Sequence, residues 1–250
     1  MISKEELIKI AKKNNLKPFQ QEKHYIQTII LSGIYSSLTN ELVFKGGTAL
    51  FFFYGLNRFS EDLDFTKFKN FDMKKVKESI RNTFELLNIP NRIKEMKTPA
   101  GKKIKIKAEG PLYRGELSEC VVDLDISNRN DLVLEAETKE VIPIYNDVRP
   151  FTISVMQKEE ILSEKIRAVI KRDKARDVYD LWFLLKKGID FDLNLVNKKM
   201  KYYKEKFDYD ELKLNIIKSK KYWNSDLKGL LPVVPSFNEA SKLILSEIKD

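Results

Sequence analysis

A mixed α/β half followed by a helical half is the fold class this sequence predicts, and three observations predict it. Between residues 41 and 127, short apolar runs with period-two alternation are punctuated by Gly and Pro. From Lys158 onward the spacing of apolar residues becomes helical and stays so. The 250 residues are 42% hydrophobic, with 15 Phe, 10 Tyr and 2 Trp, enough for one large core or two small ones. The expected architecture is an α/β (α+β) mixed sheet with flanking helices in residues 1–155 and a helical bundle in 156–250.

In chain order, residues 3–14 and 22–39 show helical spacing, with Pro18 as a break between them. Residues 41–44 read as a short buried strand ended by Gly46 and Gly47. Thr48 is placed to cap a short helix running through Tyr54, with Gly55 as its stop. Residues 58–65 read as a strand, and 71–87 as an amphipathic helix stopped before Pro90. Strands are predicted at 91–97 and 102–108 around a turn at 98–101, and again at 120–127. Helices follow at 158–172, at 175–187 and in several further segments, including 238–249. Neither repeats nor low-complexity tracts interrupt this order.

Composition excludes several chemistries. A single cysteine, Cys120, allows no intramolecular disulfide and suits a reducing compartment. With a single histidine, His24, the usual His/Cys zinc site cannot be assembled. Any Ser-His-Asp or Cys-His mechanism would rest on that one residue in a helical segment. No P-loop and no dinucleotide fingerprint appears. The opening MISKEELIKI lacks the apolar core of a signal peptide, and the longest apolar run, 49–56, is too short to span a bilayer. The expectation is a soluble cytoplasmic protein with no membrane partner. The net charge of +9, from 46 Lys+Arg against 37 Asp+Glu, points either to a polyanionic partner or to a lysine-solvated surface.

The chemistry concentrates in residues 45–65, KGGTALFFFYGLNRFSEDLDF. On a strand, alternate side chains share a face, so Arg58, Ser60, Asp62 and Asp64 point one way and Phe59, Leu63 and Phe65 the other. Two carboxylates on one face repel unless positive charge sits between them. A divalent metal with oxygen ligands, Mg²⁺ or Mn²⁺, is the economical answer. Gly46 and Gly47 let a phosphate approach the backbone, and a helix beginning at Thr48 offers N–H donors and a positive dipole end. An NTP held there, its α-phosphate beside metal on Asp62 and Asp64, suits in-line nucleotidyl transfer, with Arg58 and Ser60 counted among the nucleotide-binding residues. Read as a strand, VVDLDIS (121–127) places Asp123 and Asp125 on one face.

With these motifs in order, GGTAL followed by YGLNRFSEDLDF resembles the first motif of the polymerase-β-like nucleotidyltransferases, and more narrowly the AbiEii/AbiGii abortive-infection toxin family. The resemblance spans roughly residues 40–190. It implies a nucleotidyltransferase-fold sheet, NTP as substrate, a cognate antitoxin as partner, and an RNA acceptor, since some relatives modify tRNA 3′ ends. The family pattern of an acid followed by an aliphatic and then Ser or Thr favours Asp125 as the third ligand, with Asp123 the alternative. EEILSEKIRAVIKRDKARDVYDLWFLL (159–185) is similar to the later motifs, matching at Lys165, Arg176, Asp177 and Asp180. If the helical half closes over the cleft, Lys165 serves the triphosphate as a point charge and Asp177 orients it or the acceptor. An interdomain salt-bridge cluster is the competing role.

Two lysine runs bear on the acceptor. KKIKIK (102–107) puts Lys103, Lys105 and Lys107 on one strand face, either for a nucleic-acid backbone or as a protected edge. KKMKYYKEKF (198–207) sets Tyr202, Tyr203 and Phe207 among lysines, for base stacking or for core packing. Transfer to a protein or small molecule, and a non-catalytic nucleotide- or nucleic-acid-binding module, are the alternative functions.

Overall fold

Two units, each drawn from separated stretches of sequence, divide the chain in this computed structural model, which describes residues 1–98 and 101–249. The first unit comprises residues 1–48, 61–130 and 136–155, and holds the seven strands found among the described residues. Helix α1 (Lys4–Lys13) is capped by the Ser3 hydroxyl, which accepts from the Glu6 N–H. Glu5 and Glu6 in its first turn and Lys12 and Lys13 in its last match the helix dipole. Helix α2 (Pro18–Tyr35) begins at Pro18 itself. The proline is therefore not a break ahead of a helix at 22. It is the first helical residue, where no N–H is needed and its fixed φ is already helical.

Strand β1 (Leu42–Lys45) runs without a linker into α3 (Gly46–Phe53). Then come β2 (Leu63–Lys67), α4 (Met73–Leu86), β3 (Asn91–Thr98), β4 (Gly101–Ala108) and β5 (Cys120–Ser127). Strands β6 (Glu137–Val141) and β7 (Phe151–Val155) complete the sheet, in the order β3-β4-β5-β2-β1-β7-β6. The pairs β2–β5 and β1–β7 are parallel and the others antiparallel. Thr98 and Gly101 pair at the end of the β3–β4 hairpin, while the predicted turn residues Pro99 and Ala100 lie outside the described residues.

Alternation explains the packing. Val122, Leu124 and Ile126 of β5 and Ile104 and Ile106 of β4 are buried, while the acids and lysines between them are only half-buried. Helix α2 lies against β5 and β7, and α1 and α4 pack on α2. Asp72 caps α4, whose Val76, Ile80 and Phe84 form a buried stripe at helical spacing. Strands β6 and β7 lie where no strand is expected, although FTISV of β7 does alternate apolar with polar residues. Strand β6 reads ETKEV and, among the described residues, pairs only with β7; as an edge strand it carries charge rather than a hydrophobic signal.

The second unit holds α5 (Lys158–Lys171), α6 (Ala175–Lys186), α7 (Leu193–Lys201), α8 (Tyr209–Ser219), α9 (Trp223–Leu227) and α10 (Phe237–Glu247). Helix α5 packs against α6, α7 and α8, and α6 against α9 and α10. Residues 49–60 and 131–135 also belong to this unit. The Phe59 N–H donates to the Leu230 carbonyl at 2.9 Å, and Glu160 accepts from the N–H groups of Val133 and Leu134 at 3.0 and 2.9 Å.

Removing packing from the sheet should cost far more than editing its edge. Ile106→Ala is expected to lower unfolding free energy by about 2–5 kcal/mol, and Thr138→Ala by no more than about 0.5 kcal/mol, in urea titrations.

Candidate active site

The turn from β1 into α3 is made at Gly46, whose φ is +75°. A Cβ built there would stand 2.5 Å from Asp64 Oδ2. Both the left-handed backbone and the adjacent acid therefore demand glycine. Because α3 starts at Gly46, Gly46 and Gly47 form its first turn and Thr48 is not the cap that its sequence position suggests. Thr48 is fully buried, and its hydroxyl donates to the Asp62 carbonyl, tying the first turn of α3 to the residue before β2. At the other end of α3, Gly55 has a φ of +74° and the Leu56 N–H returns to the Leu50 carbonyl at 3.1 Å, closing the helix.

Strand β2 begins at Leu63, five residues later than the predicted strand at 58–65. The alternation consequently does not extend back to Arg58 and Ser60, which belong to the second unit, and Asp62 stands immediately before the strand. What the sheet does align is a row across four strands. Lys45 opposes Asp64, Asp64 opposes Asp125, and Asp125 opposes Lys103. Asp123 opposes Lys105. Because Leu63 pairs with Leu124, Asp64 and Asp125 stand side by side, with Asp62 immediately ahead of β2.

The positive charge beside the β5 acids is a lysine. Lys103 Nζ lies 3.0 Å from Asp123 Oδ2 and 3.5 Å from Asp125 Oδ2, and Lys105 Nζ is 3.9 Å from Asp123 Oδ1. The hydrogen bond to Asp123 holds the Lys103 ammonium above its ordinary pKa; burial opposes this, and the charges of Asp125, Asp123 and Asp62 add to it. The rest of the KKIKIK run is matched too, Lys107 by Glu119 at 3.2 Å and Lys102 by Glu95 at 3.5 Å. Strand β4 has neighbours on both sides, so the run is not the protected edge that its lysines suggest.

The oxygen-only donors Asp62, Asp64, Asp123 and Asp125 suit a hard divalent cation in kind. Asp123 Oδ1 is a buried carboxylate oxygen with no hydrogen-bond partner, an acceptor a cation would satisfy. Among the described residues, no three such side chains are gathered into a ready metal cluster. His24 Nδ1 lies 2.7 Å from the Tyr145 hydroxyl, and burial lowers its pKa to about 4, leaving it neutral at pH 7. Burial, then the Glu22 carboxylate, pushes the Cys120 thiol up to about 12. Neither is poised as base or nucleophile.

In the second unit, the later motifs converge on an ionic network. Asp177 and Asp180, three apart on α6, share a helix face. Lys165 of α5 reaches both, at 2.9 Å to Asp177 Oδ1 and 2.7 Å to Asp180 Oδ2. Arg58 donates through Nε and Nη2 to both oxygens of Asp180 at 2.6 Å, a bidentate pair. Arg172, the C-cap of α5, grips Asp177 through Nε and Nη2 at 2.7 and 3.0 Å. Burial alone would lower the pKa of Lys165, but Asp177 and Asp180 outweigh it and hold the ammonium above its ordinary value. Burial would likewise raise Asp177, but Lys165 and Arg172 hold it well below the usual carboxylate range. Arg58, grouped by sequence with the acidic strand, is thus committed to Asp180. Arg176 forms no ion pair among the described residues; the network recruits Arg172 instead, which the RDKARD spacing leaves indistinct.

The model of one protein family, described as nucleotidyl transferase AbiEii toxin, type IV toxin–antitoxin system, matches residues 29–243. This chain belongs to the AbiEii family. The AbiEii assignment makes it a nucleotidyltransferase and the toxin of a toxin–antitoxin system. Among solved structures it is similar to MenT4, a nucleotidyltransferase toxin from Mycobacterium tuberculosis H37Rv, at 19% identity and a TM-score of 0.68, covering 99% of this chain and 88% of that one. It is also similar to JHP933 from Helicobacter pylori, at 23% identity and a TM-score of 0.61, covering 91% and 89%. At these identities the two show that the AbiEii chain shares their fold. No curated protein matches the sequence. Among the described residues no helix is long and apolar enough to cross a membrane.

Two outcomes test the geometry. Gly46→Ala should lower stability by about 1–2 kcal/mol in urea titrations, the cost of a left-handed non-glycine residue. Asp180→Ala leaves Arg58 and Lys165 short of a buried partner and should cost about 3–5 kcal/mol. The pH dependence has a defined sign. Asp177, with its pKa depressed by folding, stabilises above its unfolded pKa of about 4 and loses this as pH falls. Lys165, with its pKa raised, stabilises below its unfolded pKa of about 10 and loses this as pH rises above it. The stability difference between wild type and Asp177→Asn should be level from pH 5 to 9 and shrink below pH 4.

Proposed function

We propose that this AbiEii-family protein moves an NMP from an NTP to a hydroxyl on RNA, with a tRNA 3′ end the preferred acceptor, and releases pyrophosphate. The observation that carries this reading is the in-register pairing of Asp64 with Asp125 on adjoining parallel strands, with Gly46 directly against Asp64. Gly46, Gly47 and Thr48 form the turn that receives the triphosphate, through backbone N–H groups at the start of α3. Asp62, Asp64 and Asp125 are the residues to hold Mg²⁺ or Mn²⁺, with Asp123 the alternative to Asp125. When bound, that metal neutralises charge on the attacking and leaving oxygens. Asp125 is the better third ligand, since it stands in register with Asp64 and is more exposed than Asp123, which Lys103 holds more closely.

Lys165 and Asp177 assist from the helical half. Asp177 fixes the Lys165 ammonium at 2.9 Å, and the network of three cations and two carboxylates carries one surplus positive charge, which favours a phosphate ligand. Ser60 and Arg58 bear on the nucleotide by ordering the chain between α3 and β2. A cognate antitoxin is the natural protein partner, and the cytoplasm the place of action.

The test is incubation with Mg²⁺, each α-³²P-labelled NTP in turn, and total cellular RNA, beside Asp64→Ala. Label should enter an RNA band with one NTP and fall by at least about 10²-fold in the variant, the scale of one lost electrostatic stabiliser. Label in a protein band would move the acceptor to protein. No label despite measurable NTP binding would overturn the catalytic reading under these conditions. Lys165→Ala should raise the KM for NTP.

A further inference from the structure

Helix α7 ends in a run that this chemistry does not use. Lys198, Lys201 and Tyr202 stand at i, i+3 and i+4, on one face of the helix, and with Val133 they line a cavity of about 450 Å³. That volume lies within the range of small-molecule sites. Buried groups hold the walls. Lys199 is fully buried and donates to Glu160 at 2.8 Å and to the Asp131 carbonyl at 2.6 Å, with Glu164 at 3.0 Å. Glu160 also accepts from the Val133 N–H, so both walls are fastened to one carboxylate. Of the two adjacent tyrosines, Tyr203 is committed inward: its hydroxyl meets Asp131 at 3.2 Å and Arg167 stacks on its ring. Tyr202 is 48% exposed at the cavity.

Charge separates this run from the other lysine run. Lys102, Lys103, Lys105 and Lys107 all face carboxylates, whereas among the described residues neither Lys198 nor Lys201 is held in an ion pair. The helix dipole accounts for lysines in a last turn. It accounts neither for a cavity between them nor for an exposed ring beside it.

We propose that this cavity binds a nucleotide unit of single-stranded RNA, its base stacked on Tyr202 and its phosphates on Lys198 and Lys201. The inference rests on RNA as the acceptor and names a binding surface for it. Stacking tolerates any base, and lysines reach phosphates without reading sequence, so the contact is sequence-independent.

The experiment is fluorescence anisotropy with a labelled twelve-nucleotide single-stranded RNA, without NTP, across a salt series. Tyr202→Ala should weaken binding by about fivefold or more, and Tyr202→Phe should retain it. Lys198→Gln with Lys201→Gln should flatten the slope of log K against log salt by about 1.4, or about 0.7 for each lost phosphate contact. Wild-type affinity and slope in variants that keep their circular dichroism would overturn the proposal. AMP binding as tightly as the RNA, with the same dependence on Tyr202, would assign the cavity to free nucleotide and overturn the RNA assignment. RNA labelling by wild type alongside unchanged binding by the variants sinks the cavity inference and leaves the acceptor reading standing. Tyr202-dependent binding with no labelling of RNA does the reverse.

Discussion

Parallel pairing of β2 with β5 sets Asp64 against Asp125, with Asp123 on the same face of β5, and the chain must supply positive charge beside these carboxylates or leave the sheet strained. Lys45 and Lys103 flank the Asp64–Asp125 pair in the same cross-strand row, and Lys103 bridges to Asp123 as well. This requirement explains why the strand beside β5 alternates lysine with isoleucine. The isoleucines fill the core, and the lysines answer the acids across the pairing. It also explains the position of Gly46, since any side chain at that turn would strike the Asp64 carboxylate. Sheet register, turn conformation and the composition of β4 follow from one electrostatic constraint.

The helical unit solves the opposite problem. Asp177 and Asp180 are buried and meet three cations, buried Arg58 and Lys165 and the half-exposed Arg172, so the network is charge-rich in the positive sense. Two arginines, with their planar forks, satisfy carboxylate oxygens in pairs, and the single lysine spans both acids. A buried network of this kind adds little net stability over apolar packing, but fixes which side chains meet.

Much of this was legible in the sequence where polarity alternates with a clear period. Strand β5 was readable to the residue, because Val122, Leu124 and Ile126 alternate with acids, and α5 and α6 to within a residue. The strand containing Asp64 was readable but not its start: Phe59 looks like a continuation of the alternation, yet its N–H belongs to the Leu230 carbonyl. Strand β6 was invisible, since an edge strand of Glu, Thr and Lys carries no apolar signal. Arg172 was invisible because nothing in local spacing separates it from Arg176; only the path of the chain after α5 brings its guanidinium to Asp177. The pairing of Lys103 with the acids needed the sheet order, which no local pattern contains.

The carboxylate of Glu160 and the guanidinium of Arg58 have a consequence for modularity. Within the helical unit, Glu160 closes the backbone N–H groups of Val133 and Leu134, and Asp180 is satisfied by Arg58, so both acids depend on residues encoded well upstream of the helices. A fragment beginning near residue 156 would keep Lys165 on Asp180 and Lys199 on Glu160 but would lose Arg58 and the Val133 and Leu134 N–H groups. The helical unit is therefore not a cassette that recombination can graft onto another sheet, and the heritable unit is the interleaved chain.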